Sequence, residues 1–368
     1  MSLFEKKDNR IIGVDIGTSS IKLIELEKKQ DGTHALVTYG FVDQFNRDVK
    51  TGSKEDASLI GSTIKLMYER AGCMTLHATA ALPTYLVFTS LIGLPPMSKE
   101  ELDSAIHWEA KKIIPLPLEE IVLDYKIINQ SHQKKGGLFG SKDKGTPEDL
   151  KILITGAGQD TVQRYSEIFL QSGLSLQSLE TEMFALSRSL VGNDQGEIMI
   201  VEIGAAITDI IIVEDGIPFL GRSIETGGSA MTRAIMNSLA INEKRAEQLK
   251  RDIGLTVVDE TSGGGGVPQI LRDTLEPIIH EVRYTMDLYK NHGVTPSNHS
   301  TGTIEKIILT GGSALMPHLA EYLAQALDIR VVIGDPWQHV HYHDDLKPLL
   351  ATIGPKFSVA IGLALRET

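Results

Sequence analysis

The sequence predicts a two-lobed mixed α/β fold with a small α/β subdomain inserted in the first lobe. Three observations carry this. Residues 11–27 and 198–214 open the two halves of the chain alike, as two β-branched runs joined by a turn of small residues, which points to internal duplication. The chain has 368 residues, too many for one small core and suited to two domains of roughly 100–200 residues each. Strand-like runs also alternate with amphipathic helical patterns, as at 34–42 and 57–71 or at 217–224 and 229–239.

In the first lobe, residues 11–27 read as a strand, a turn over Asp15-Ile16-Gly17-Thr18-Ser19-Ser20 and a returning strand. Residues 34–42 supply a third strand, 57–71 a helix and 76–82 another strand. The inserted unit follows: a strand from Tyr85 ending at Pro95-Pro96, a helix opened by the capping-box pair Ser98 and Glu101, then Pro115 and Pro117, and a strand over 121–128. The tract 131–145 is polar and glycine-rich and reads as a surface loop. A strand at 151–155 and helices at 159–172 and 180–190 lead to a lobe boundary near Gly192. The first lobe is therefore expected over 1–191, with the insertion at about 85–150, and the second over 192–368.

The second lobe starts with strands at 198–203, 208–214 and 217–224, the first two joined by Gly204-Ala205-Ala206. Helices are expected at 229–239, 243–252 and 268–291, a strand at 304–310 and a helix directly after Gly311-Gly312-Ser313. Ser262 to Gly266 reads as a flexible joint before the long helix.

Charge and composition narrow the function classes. Acidic side chains number 48 against 36 basic ones, and the net charge of -12 argues against a broad nucleic-acid or anionic-membrane footprint. The single cysteine, Cys73, excludes an intrachain disulfide framework and reads as a small buried hydrophobe in a reducing compartment. The opening residues 1–7 lack the apolar core of a signal peptide, and no run is long and apolar enough for direct transmembrane insertion, so a cytoplasmic location is expected. Leu3 and Phe4 beside Lys6 and Lys7 would anchor only marginally to a bilayer, and a frayed terminus is the preferred reading.

The first turn gathers what a phosphate tail needs. Gly17 lets backbone N–H groups approach, Thr18 and Ser19 offer hydroxyls, Lys22 offers positive charge, and Asp15 can hold a hydrated magnesium ion. An ordinary hairpin turn favours the same residues. The second hairpin, Glu202 to Asp209, and Gly311-Gly312-Ser313 after a buried strand tip the balance towards a nucleotide clamped between two lobes. Weaker signals are set aside. His339, His341 and His343 with Asp344 and Asp345 read as a solvated loop rather than a metal cluster. Gly156-Ala157-Gly158 is a partial dinucleotide echo, Gly263 to Gly266 a hinge, and Trp108 a core residue or a peptide anchor.

The three elements in this order resemble the actin-like ATPase superfamily, with its ribonuclease H-like two-lobed fold, which includes actin, MreB, FtsA, sugar kinases and heat-shock chaperones. On that resemblance Asp15, Gly17, Thr18, Ser19 and Lys22 fall on its first phosphate motif, Glu202, Gly204 and Thr208 on its second, and Gly311, Gly312 and Ser313 on its adenosine motif. Within the superfamily, Leu91-Ile92-Gly93-Leu94-Pro95, the stretch Ile106 to Pro117 and Ile121-Val122-Leu123-Asp124-Tyr125 resemble the inserted subdomain of the PilM family of type IV pilus assembly proteins. Ala246-Glu247-Gln248-Leu249-Lys250 is similar to a nucleotide-side helix in which the acid reaches the ribose and the lysine the base.

The resemblance implies ATP or ADP with Mg2+ in the interlobe cleft, with Asp15 and Glu202 on the metal side. It implies weak or absent hydrolysis, because Glu202 stands where the superfamily usually has aspartate; Glu180, with Glu182 beside it, and Glu202 are the catalytic candidates. An acid at a helix N-terminus is equally explained by the macrodipole. The implied partner is the N-terminal cytoplasmic peptide of the inner-membrane protein PilN, bound between the insertion and the rest of the first lobe near Ile106, Trp108 and Leu118. Such a protein would sit at the inner membrane through that partner, with self-association left open and no nucleic acid. The alternative is an FtsA-like cell-division or filament-forming ATPase, against which the ending 363–368 shows no basic amphipathic tail. A small-molecule kinase is disfavoured for want of a substrate base beside the phosphate loops.

Overall fold

The structure, a computed structural model, describes residues 8–43, 54–128, 149–256, 266–293, 295–296 and 300–366. The expected loop at 131–145, the start of the chain at 1–7 and all but Gly266 of the expected joint lie outside the described residues. Strands β1 (Arg10–Ile16) and β2 (Ser20–Lys28) form the predicted hairpin, with Asp15 opposite Lys22 and Ile16 opposite Ile21. Strand β3 (His34–Asp43), helix α1 (Lys54–Ala71) and strand β4 (His77–Leu82) follow as the sequence predicts.

The insertion comprises β5 (Val87–Leu94), α2 (Lys99–Ile113), β6 (Ile121–Ile127) and β7 (Leu150–Gly158), an antiparallel sheet in the order β5-β7-β6. The capping box is formed: Glu101 N–H donates to Ser98 Oγ, and Ser98 N–H donates to the Glu101 carboxylate at 3.0 Å. Leu102 and Ile106 of α2 pack on Ile152 and Ile154 of β7, whereas Leu91 and Leu153 turn the other way and join the core of the second lobe. Ile106 is thus inside the subdomain and unavailable to a peptide groove.

After α3 (Gln159–Ser172) comes a strand the periodicity missed, β8 (Ser175–Thr181), which pairs in parallel with β4. The helix expected from residue 180 starts two residues later as α4 (Glu182–Leu190). The second sheet uses β9 (Glu197–Ile203), β10 (Thr208–Glu214) and β11 (Ile217–Ile224), then helices α5 (Gly228–Leu239), α6 (Glu243–Asp252) and α7 (Val267–Lys290), then β12 (Lys306–Thr310). A turn intervenes before α8 (Leu319–Leu327), because Gly311 and His318 adopt left-handed backbone with φ of 89° and 59°. Strand β13 (Val331–Ile333) completes a sheet ordered β11-β10-β9-β12-β13.

The rest of the chain crosses back. Strand β14 (Val340–His341) pairs in parallel with β3, giving a first sheet ordered β14-β3-β2-β1-β4-β8, and α9 (Lys347–Ile353) and α10 (Ser358–Ala364) follow. A clean division at residue 192 therefore does not describe the chain: its last segment covers the first sheet, with Trp337, Phe357 and Ile361 packed on Ile24 and Leu26. The opposite face of that sheet is closed by α1 and α3, through Ile60, Ile64, Tyr165 and Phe169. In the second lobe, α5 and α7 bury Met199, Val201 and Ile210 on one face. On the other face, Ile198, Ile200 and Ile211 meet Leu186 of α4 and Leu363 of α10.

Helices α4 and α10 are therefore the layer shared by both lobes, and glycine makes that layer thin enough. A Cβ at Gly362 would lie 1.9 Å from the Ala185 carbonyl oxygen, and one at Gly13 would lie 2.0 Å from that of Ala360. Backbone cannot yield as a flexible side chain can, so Gly362→Ala is expected to cost about 3 kcal/mol. At Gly93, where an added Cβ meets nothing within 4 Å, alanine is expected to change stability by no more than about 0.5 kcal/mol. Urea unfolding of the two variants checks this; equal midpoints would refute the close-packed layer.

Candidate functional site

The two hairpins face one another across the interlobe cleft. In the first, Gly17 N–H donates to the Ser20 carbonyl at 3.0 Å and closes the turn. That turn leaves Gly17, Thr18 and Ser19 part-exposed at the end of an otherwise buried hairpin. Lys22 Nζ donates to Asp15 Oδ2 at 2.8 Å, and both side chains are buried. Burial alone would push the Lys22 ammonium down, but Asp15, Glu202 and Glu182 outweigh it and hold its pKa above the ordinary lysine value.

In the second hairpin, Gly204 N–H donates to the Ile207 carbonyl at 3.0 Å, and Glu202 stands opposite Asp209 in the β9–β10 register. Thr208 is fully buried and gives its hydroxyl to the Thr226 carbonyl at 2.6 Å, so it braces the loop from behind. The N-terminus of α5 lies over this turn: Gly228 N–H donates to Gly204 O at 2.9 Å and Ser229 N–H to Ala205 O at 2.8 Å. A Cβ at Gly227 would meet Gly204 O at 2.7 Å, and one at Gly228 would meet Ser313 Oγ at 2.6 Å. Gly311 brings the third motif against the same loop, since a Cβ there would lie 2.6 Å from Ile203 O. Gly312 beside it has open space around its α-carbon, with nothing within 4 Å of an added Cβ.

Helix α6 delivers the remaining pair. Lys250 is buried, donates to Gly228 O at 3.0 Å and Thr232 Oγ1 at 2.9 Å, and lies 2.7 Å from Glu247. The Thr232 hydroxyl reaches Glu247 Oε2 at 2.6 Å. Burial would raise the Glu247 carboxyl, yet Lys250, Thr232 and Arg251 hold it down at about 2. For Lys250 the balance goes the other way: burial pushes the ammonium down more than Glu247 pulls it up.

Four carboxylates converge from both lobes: Asp15 of β1, Glu182 of α4, Glu202 of β9 and Asp209 of β10. Burial, then repulsion from Asp209, Glu202 and Asp15, drives Glu182 well above the usual carboxylate range, although Thr84 N–H donates to it at 3.1 Å. Glu202 is raised by burial and by Asp209 and Asp15, against which Lys22 pulls it back. Asp209 is raised by burial while the Ser223 and Thr84 hydroxyls oppose the shift. One lysine does not balance this cluster, so a divalent cation would relieve it. Among the described residues no three His, Cys, Asp or Glu side chains form a metal cage.

The structure thus brings together Asp15, Gly17, Lys22, Glu202, Gly204 and Thr208 on the facing hairpins, with Lys250, Glu247, Gly311 and Ser313 gathered beside the Gly204 turn through Gly228 and Ile203. It does not bring Glu180 to the cluster. Glu180 lies in β8 and accepts from Arg188 at 2.8 and 3.0 Å and from Arg366 at 3.3 Å. Glu182, two residues on, is the one that shares the field of Asp15 and Glu202. The sequence passed over Gly227 and Gly228, although a glycine pair just before an amphipathic helix is a legible signal. Asp209, at the end of the second hairpin, is a further member of the cluster that its position in the sequence does not mark.

Other candidates resolve into packing or solvent. Gly156 faces Ile114 and Ile121 inside the insertion, with no phosphate turn near it. His343 and Asp345 pair at 3.3 Å on the open surface. Burial and the neighbouring Glu25 push the Cys73 thiol up to about 12, which leaves it unreactive. Trp108 is 65% exposed, with the Lys112 ammonium 5.9 Å from its ring centroid. Two cavities lie outside the cleft. One of about 470 Å³ lies on the insertion, lined by Lys111, Ile114, Leu116 and Leu118. The other, of about 480 Å³, lies between the insertion and the lobes, lined by His34, Lys126, Phe184, Arg188, His339 and Leu365 among others.

Comparison with known proteins bears on the family and the fold. The family model described as type IV pilus assembly protein PilM matches residues 13–368. A solved PilM-PilN type IV pilus biogenesis complex is similar with a TM-score of 0.79 and 23% identity, over 97% of this chain and 98% of that one. MreB 5 of Spiroplasma citri bound to AMPPNP is similar at a TM-score of 0.50 and 14% identity, over 97% of this chain and 95% of that one. The cell division protein FtsA of Neisseria meningitidis is 23% identical, over 98% of this chain and 90% of the relative. The fold is actin-like.

The depressed Glu247 carboxyl makes a prediction about acid. Its folded value of about 2 lies below the ordinary 4.5, so its contribution is complete above the unfolded value and fades as pH falls towards the folded one. The stability difference between the wild type and Glu247→Gln should therefore be constant from neutral pH to about pH 5 and shrink between about pH 4.5 and 2. Urea midpoints of the two proteins against pH measure it; a difference that grows on acidification would contradict the ion pair.

Proposed function

The chain belongs to the PilM family of type IV pilus assembly proteins, and from that premise we propose that it is a nucleotide-binding assembly adaptor. It holds ATP or ADP with Mg2+ between its lobes. It takes the N-terminal cytoplasmic peptide of a PilN-like inner-membrane partner in the groove between the insertion and the first lobe. The observation that carries the reading is the convergence of Asp15, Lys22 and Gly17 with Glu202 and Gly204 from opposite lobes.

Each residue has a task on this reading. The backbone N–H groups and hydroxyls at Gly17, Thr18 and Ser19 donate to phosphate oxygens, and the Lys22 ammonium offsets their charge. The Gly204 turn, capped by Gly227 and Gly228, closes on the phosphates from the other lobe. Lys250 and Glu247 receive the nucleoside end beside Gly311, Gly312 and Ser313. Magnesium, when bound, supplies positive charge against the phosphates and the acid cluster, with Asp15 and Glu202 as the residues that would hold it.

Hydrolysis is weak or absent on this account. Glu202 adds a methylene where the superfamily has aspartate, and burial, with the neighbouring acids Asp209, Glu202 and Asp15, disfavours a charged carboxylate at Glu182. Glu180 is occupied by Arg188 and Arg366. The second reading, an FtsA-like filament-forming ATPase, is favoured by the FtsA likeness along the chain. Attachment to the inner membrane runs through the partner; among the described residues no helix is long and apolar enough to cross a bilayer.

Titration with a fluorescent ATP analogue and magnesium tests the cleft. Wild type should saturate, and Lys22→Met should weaken binding by about tenfold or more, the worth of one charge-assisted phosphate contact. Unchanged affinity would remove Lys22 from the site. A PilN-like N-terminal peptide should bind saturably to the same protein. Its failure to bind, together with ATP-dependent sedimentation, would favour the filament reading.

A further inference from the structure

The cavity between the insertion and the lobes has a chemistry that the family reading does not supply. Its walls come from three bodies: Lys126 from β6 of the insertion, His34 and Leu365 from the first sheet and its covering segment, and Gly192, Asn193 and Gly216 from the second lobe. Helix α4 forms the floor with Phe184, Ser187 and Arg188. No lining residue is acidic, and four carry or can carry positive charge. In a chain of net charge -12, that local reversal of sign stands out.

The cations differ in their freedom. Arg188 is fixed, since its guanidinium nitrogens already hold Glu180 and the Gly362 carbonyl. His339 is seated on Gly192, where an added Cβ would come within 2.5 Å of its Nε2, and Gly192 has a φ of 58°. Lys126 is exposed, has no carboxylate partner among the described residues, and stands 5.9 Å from the Phe184 ring centroid. A cation over an aromatic ring at the mouth of a polar, basic cavity is a receptor for a carboxylate attached to an apolar chain.

Resting on the partner-peptide reading, we propose that this cavity takes an acidic side chain, aspartate or glutamate, of the docked peptide, with Lys126 as the residue that selects it. The peptide's apolar neighbours would lie on Phe184 and Leu365. Charge complementarity favours this occupant: a basic segment would meet the Lys126 ammonium, and none of the residues lining the cavity is an acid that could receive it.

The test uses the full chain and fluorescence anisotropy with labelled hexaglutamate, hexaglutamine and the partner's N-terminal segment. Hexaglutamate should bind and hexaglutamine should not, binding should weaken with added salt, and Lys126→Glu should lose about tenfold or more in affinity. Lys126→Glu should bind the fluorescent ATP analogue as the wild type does, which shows that the fold is kept. Equal binding of the two homopeptides, or no effect of Lys126→Glu, would overturn the proposal. The partner segment separates the two ideas. If it binds equally well with its acidic residues changed to amides, the adaptor reading stands and this inference fails. If hexaglutamate binds and the partner segment does not, the cavity is acid-selective and the adaptor reading fails.

Discussion

Everything in this molecule hangs on the thin helical layer between its sheets. Helices α4 and α10 are covered by strands of the first lobe on one side and of the second on the other, and two glycines set the spacing. Gly13 lets α10 lie against β1, and Gly362 lets α4 lie against α10. Because each contact is backbone on backbone, the distance between the lobes has little room to vary at that point. The hairpins that line the cleft are extensions of the strands packed on this layer, so their separation is fixed by the core rather than by loops.

The same layer links chemistry on its two ends. Glu182 opens α4 and joins the acid cluster, while Phe184, Ser187 and Arg188, within the next two turns, floor the rear cavity. The helix that carries Glu182 into the cleft is therefore the one that also floors the rear cavity. The acid cluster is costly as it stands: four buried or half-buried carboxylates face one ammonium, and three of them are pushed up. On the proposed reading a cation bound with phosphate oxygens would stabilise such a site, and a bound nucleotide would then have leverage on the lobe contact without any need for turnover.

Much of this was legible in the sequence, and where it was not the reasons are physical. Both hairpins were plain because β-branched runs flank turns of small residues, and α3, β10, β11 and α6 begin and end where the periodicity places them. Ser175–Thr181 escaped notice because its polar residues give no strand alternation; it becomes a strand by pairing with β4. That pairing moved Glu180 from a helix start into a strand and to its arginines. The return of 340–364 to the first sheet rests on the packing of Phe357 and Ile361 against Ile24 and Leu26 and on a two-residue pairing with β3, long-range contacts for which local sequence holds no signal. Ile106 shows the limit of motif resemblance: family likeness marked its helix, but only packing tells which face is buried. Gly227 and Gly228 stand plainly in the sequence, but their meaning lies in the approach to Gly204, which only the fold supplies.

The most direct test of the central claim is a crystal structure of the protein with AMPPNP and magnesium. The account predicts phosphates between the turns at Gly17–Ser19 and Gly204–Ile207, a metal on the side of Asp15 and Glu202, and the nucleoside beside Lys250 and Ser313. A nucleotide bound elsewhere, or an empty cleft at saturating ligand, would contradict it.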